Sequence, residues 1–146
     1  MTATSLPDVR CTIAKGLAKR PEVQAGYVFG SVATGRTRPD SDVDVAVLLD
    51  DARLRSARRL RYRLALMTDL GAALHRPDVE VVILNDASPL LAHRVLSRGR
   101  LVFERSRRAR VRFQVHTAAR YLDLVPMYET FIRYTKKRAR ERLAHG

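Results

Sequence analysis

YVFGSVATGRTRPDSDVDVAVLLD, residues 27–50, is the stretch on which the reading of this chain turns. It holds the end of one β-rich run, Ala25 to Phe29, and all of a second, Val43 to Leu49. Between them lies a polar, turn-prone segment with Gly35, Pro39, Asp40 and Ser41. The second run is almost wholly apolar, so it reads as a strand buried on both faces. Asp42 and Asp44 break that pattern. Strand side chains alternate, so residues two apart share a face. A buried ionised carboxylate without a partner is costly, and two side by side also repel. No Lys or Arg lies within the strand to offset them. A hard divalent cation with oxygen ligands, Mg²⁺ above all, is the natural compensation. The residues alone leave one alternative: a capped turn through Asp40, Ser41 and Asp42, with Asp44 at an exposed strand edge.

Two neighbouring features favour the cation. Gly30-Ser31 ends the first run; glycine lets a phosphate approach the backbone, and a serine hydroxyl with adjacent N–H groups donates to phosphate oxygens. Glu80 interrupts a third apolar run, Val79 to Leu84. If that strand neighbours the second, Asp42, Asp44 and Glu80 form a three-carboxylate cluster. Such a cluster suits a pair of metal ions about 3.5–4 Å apart, the arrangement used for in-line attack at phosphorus. Asp78 shares Glu80's face and is its rival, but it follows Pro77 and reads as the start of the strand.

The rest of the chain extends this frame. Val9, Ile13 and Leu17 recur at helical spacing behind Asp8 as a cap, and Arg20-Pro21 ends that helix. Asp50-Asp51 opens a long helix to about Leu74, with Leu60, Leu64, Met67 and Leu74 on one stripe and Arg76-Pro77 as its break. Ser88 and Pro89 start a helix through Leu96, which Gly99 closes; Arg100 to Glu104 reads as a last strand. From Ser106 on the chain reads as helical, as two helices meeting near Pro126. The order α-β-α-β-α-β-α-β-α predicts an α/β (α+β) fold with a single mixed β-sheet flanked by helices.

Composition sets limits. The 146 residues suit one domain, and 46% hydrophobic residues supply a core. The single cysteine, Cys11, excludes an internal disulfide and reads as a small packed side chain. Nothing after Met1 reads as a leader, and no run approaches a membrane span, so a cytoplasmic protein is expected. Arginine supplies 24 of the 28 basic residues. Of the net charge of +13, residues 105–146 carry +9, from 12 basic and 3 acidic side chains. The expected division is therefore residues 1–105 as one domain and 106–146 as a basic helical segment packed on it.

Gly30-Ser31, ten residues, then Asp42-Val43-Asp44 resembles the GSX10DXD signature of minimal nucleotidyltransferases in the polymerase-β-like superfamily. The stretch VEVVILNDASPLLAHRVLSRGRLVFER, residues 79–105, is similar to their antitoxin branch, MntA, found beside HEPN-domain toxins. The resemblance covers roughly residues 25–105. It implies the polymerase-β-like fold, Mg²⁺ as cofactor with ATP as substrate, and transfer of AMP to a tyrosine of a cognate HEPN ribonuclease in a hetero-oligomer. Gly30 and Ser31 would hold the triphosphate; Asp42, Asp44 and Glu80 would serve as metal ligands and catalytic groups. Glu80 stands where the family usually has aspartate, and Val32 and Thr34 stand where many relatives have arginine. The alternatives are an antitoxin that neutralises by binding alone, and nucleotidyl transfer to a small molecule or RNA.

Other residues read blandly. His75, His93, His116 and His145 show no ligand spacing. The arginines from Arg53 to Arg63 read as a solvated face. Tyr121, Tyr128, Phe131 and Tyr134 favour packing or a protein interface over base stacking, and the run Arg105, Arg107, Arg108, Arg110, Arg112 lacks a nucleic-acid motif around it.

Overall fold

In the computed structural model, which describes residues 6–30, 33 and 42–145, β1 (Val23–Phe29) pairs antiparallel with β2 (Val43–Leu49). β2 pairs in parallel with β3 (Val79–Ile83), and β1 pairs antiparallel with β4 (Arg100–Glu104). The order is β3-β2-β1-β4, the mixed sheet that the sequence predicts. Four helices flank it among the described residues: α1 (Leu6–Ala18), α2 (Ser56–Leu74), α3 (Pro89–Arg98) and α4 (Arg107–Ala144).

Strand alternation divides the core. Val43, Val45 and Val47 of β2 face α1 and α2, where they pack with Ile13, Leu17, Leu66, Leu70 and Val81. Ala46 and Leu48 face the other way, toward Ala92 and Val95 of α3. Asp44 has the parity of Ala46, so it looks out on the α3 side. β2 is pinned at its far end by Asn85, whose side chain accepts from the Leu49 N–H and donates to the Leu49 carbonyl, both at 2.9 Å. Ser88 caps α3, accepting from the Leu91 N–H as its position predicts.

Several expectations need correction. In α2 the buried stripe is Arg59, Leu66, Leu70 and Leu74; Leu60 and Leu64 are 65% and 52% exposed. The helix is apolar along two adjoining stripes, and the sheet selects one. Arg59 is not solvated: it is buried, and it bonds Asp51, Asp86 and the Leu54 carbonyl. Cys11 is exposed, since it lies about 200° around α1 from Val9 and from Ile13, on the helix face away from the core. Asp8 sits in the first turn of α1, where its charge suits the helix N-terminus, rather than at the cap. The long helix starts at Ser56, because residues 50–54 form a turn closed by Leu54 N–H to the Asp50 carbonyl. The segment after Ser106 is one helix that runs through an exposed Pro126, not two.

α4 leaves the body as it goes. Its first turns pack on α3 and β1 through Phe113, buried Thr117 and Tyr121; Tyr121 stacks on His93 with ring centroids 3.7 Å apart and planes within 3°. From Phe131 to His145 every residue is exposed. Arg105 donates to the Val23 carbonyl at 3.0 Å and the Ala18 carbonyl at 2.9 Å, and Arg110 pairs with Glu104. Two of the five arginines weighed for nucleic acid are thus occupied within the fold. Among the described residues no helix is long and apolar enough to cross a membrane.

Candidate functional site

β1 ends at Phe29, directly opposite Asp44 of β2. Gly30 then turns the chain with φ +72°, a conformation that side chains strain to adopt. A Cβ at this position would meet the Asp44 carboxylate, so glycine suits the turn and any larger residue would displace that carboxylate. Ser31 lies outside the described residues.

On the other side of β2, Asp44 is in register with Glu80 of β3, so the two point to the same face of the sheet. Asp42, two residues before Asp44, is exposed at the mouth of β2 and shares that face by parity. Burial raises the Asp44 carboxyl above the usual carboxylate range, and the charges of Asp42 and Glu80 push it further in the same direction. The three carboxylates are therefore close enough to repel. Among the described residues, though, no three acidic, histidine or cysteine side chains gather into a metal cage. The Glu80 carboxylate pairs instead with Arg63 of α2, at 3.7 Å.

Two arginines flank the cluster, and sequence reasoning missed both. Arg63 comes round the free edge of β3 and donates from Nε to the Val81 carbonyl at 2.6 Å. Arg76 holds Asp78 with two bonds, at 3.0 and 2.7 Å, which lowers the Asp78 carboxyl, and it also feels the charge of Asp42. Asp78 is thus spoken for, and Glu80 is the β3 carboxylate that faces Asp44. The Arg76-x-Asp78 spacing is visible in the sequence; nothing local marks Arg63. Each cation sits at one end of the row, and no described Lys or Arg pairs with Asp44 in the middle. A cavity of about 600 Å³ lies at the opposite end of β2, between Leu49, Asn85 and Phe113, and none of the predicted site residues lines it.

Residues 12–108 match the family described as polymerase beta, nucleotidyltransferase. The chain belongs to that family. In this fold Gly30 directly follows β1, Asp42 directly precedes β2, and Asp44 lies within β2. Over 81 residues the chain is 36% identical to the protein adenylyltransferase MntA of Shewanella oneidensis, an alignment covering 55% of this chain and 53% of that protein. The chain thus spans about half the length of that relative. A chain of a toxin–antitoxin crystal structure with AMP-PNP superposes with a TM-score of 0.73 and 30% identity, over 87% of this chain and 98% of that one. A chain of the complex between tri-AMPylated Shewanella oneidensis HEPN toxin and MNT antitoxin gives a TM-score of 0.70 and 27% identity, over 90% and 99%.

Proposed function

We propose that this nucleotidyltransferase is an antitoxin that transfers AMP from ATP to a tyrosine of a cognate HEPN ribonuclease toxin and so silences it. The observation that carries the reading is the seat of Gly30 against Asp44, with Glu80 in register across β2. A backbone turn that admits no side chain there, beside a row of carboxylates, suits a triphosphate delivered to a cation. The matches to an adenylyltransferase and to toxin–antitoxin chains support the protein acceptor.

The donor set fits Mg²⁺. Asp44 is half-buried, lacks a described cationic partner, and is driven toward protonation by two like charges. A dication relieves all three, and carboxylate oxygens are its preferred ligands. Asp42 and Asp44 would hold it, with Glu80 as the third ligand of a two-ion site. When bound, the metal supplies positive charge beside the α-phosphate and the leaving pyrophosphate. The chain does the rest. Gly30 and Ser31 hold the triphosphate with backbone N–H groups and the serine hydroxyl. The acceptor oxygen bonds to the α-phosphorus as the bond to the bridging oxygen breaks. Glu80 takes the hydroxyl proton, and pyrophosphate departs. In this reading residues 1–105 are the catalytic unit, residues 106–146 meet the toxin, and the pair works in the cytoplasm as a hetero-oligomer.

The test mixes the protein with its cognate toxin, Mg²⁺ and ATP labelled at the α-phosphate. Label on a toxin tyrosine, absent with Asp42→Asn/Asp44→Asn, is expected. A second reading, neutralisation by binding alone, is favoured by the bare far half of α4, where Phe131 is 67% and Leu143 84% exposed. Neutralisation without label would establish it. Label on a small molecule or RNA instead would move the acceptor class.

A further inference from the structure

Arg63 belongs to α2, on the back of the sheet, yet it ends beside Glu80 on the front. It gets there by passing the unpaired edge of β3, where its Nε is tied to the Val81 carbonyl at 2.6 Å. That bond fixes the guanidinium before it meets any carboxylate. Glu80, one methylene longer than aspartate, reaches out to it at 3.7 Å. An exposed ion pair is weak by itself. Here one partner is held in place already, so little side-chain freedom is lost in forming it. A plain edge-guarding role, in which Arg63 only blunts β3 against pairing with another chain, accounts for the Val81 bond and not for the Glu80 contact.

We propose that Arg63 is the positioning residue for Glu80: anchored on Val81, it draws the Glu80 carboxylate to the sheet edge and apart from Asp44. Cation uptake at Asp42 and Asp44 then competes with Arg63 for Glu80. The arrangement gives the outermost of three carboxylates on one face a cationic partner at the sheet edge, while Asp44 between them has none described. It rests on the proposed site, and it concerns metal binding rather than transfer.

The experiment is a double-mutant cycle read by Mn²⁺ titration of the purified full chain, with no nucleotide present. Arg63→Ala frees Glu80 and removes a nearby positive charge, so Mn²⁺ should bind about three- to tenfold tighter. In an Glu80→Gln background the same change should give less than about twofold, because the contact it releases is already gone. Arg63→Gln, which keeps a donor for Val81, should tighten Mn²⁺ as Arg63→Ala does, and melting curves should show both variants folded. An unchanged affinity in both Arg63 variants would overturn the inference. So would a gain that persists undiminished with Glu80→Gln, which would mark a through-space charge effect alone. Mn²⁺ binding that Asp42→Asn leaves intact would instead contradict the site itself, and the inference with it.

Discussion

A methyl group at residue 30 would have to occupy a left-handed turn and the space of the Asp44 carboxylate at once. Gly30→Ala should therefore cost about 1–2 kcal/mol of stability from the backbone alone, visible in urea unfolding, and should weaken ATP binding at least about tenfold as Asp44 is displaced. Asp44→Asn should act in the opposite sense on stability. Because the folded protein raises the Asp44 carboxyl, its ionised form is disfavoured in the native state. That penalty is absent where both folded and unfolded chains are protonated, below about pH 4, grows as pH rises through the folded-state value, and is constant above it. The variant should melt about 1–3 °C higher at pH 7, with the difference closing on acidification while activity is lost. Much at this scale is legible in the sequence. Strand parity puts Asp42 and Asp44 on one face, and the Asp44–Glu80 register between β2 and β3 adds Glu80 to it. Of the two flanking cations Arg63 is not legible, because it reaches Glu80 from another layer, round a sheet edge that no local pattern describes.

At the scale of elements, α2 shows where periodicity runs out. Residues 60, 64, 67 and 74 and residues 59, 66, 70 and 74 both satisfy helical spacing, and only the sheet beneath decides which face is covered. Leu66→Ala and Leu70→Ala should each cost about 2–4 kcal/mol in chemical denaturation, while Leu60→Ala and Leu64→Ala should stay within about 0.5 kcal/mol. The strands were easier to read, since Gly30 and Pro77 mark boundaries that tertiary packing does not move. α4 is the converse case. Pro126 signals a break, but the proline ring faces solvent and the helix continues past it. Its far half keeps Phe131, Ile132 and Leu143 exposed among arginines and lysines, a surface suited to an acidic, partly apolar partner. Deleting residues 127–146 should abolish toxin binding and leave ATP affinity within about twofold; unchanged toxin binding would remove α4 from the interface.

Across the whole molecule, charge and chemistry lie in different places. The carboxylates sit at one end of the sheet, and +9 of the net +13 belongs to residues 105–146. If those cations steer the toxin, the association rate should fall at least about tenfold between low salt and 0.5 M, with dissociation changing by less than about threefold, as surface plasmon resonance would report. Family membership rests on residues 12–108, whereas the proposed reaction rests on one small row of side chains beside one turn. The most direct test of that claim is the mass of the cognate toxin after incubation with this protein, ATP and Mg²⁺. The account predicts a gain of one or more AMP groups on tyrosine, and none with Asp42→Asn/Asp44→Asn. A toxin of unchanged mass that is nevertheless silenced, by both the wild-type chain and the double variant, would contradict it.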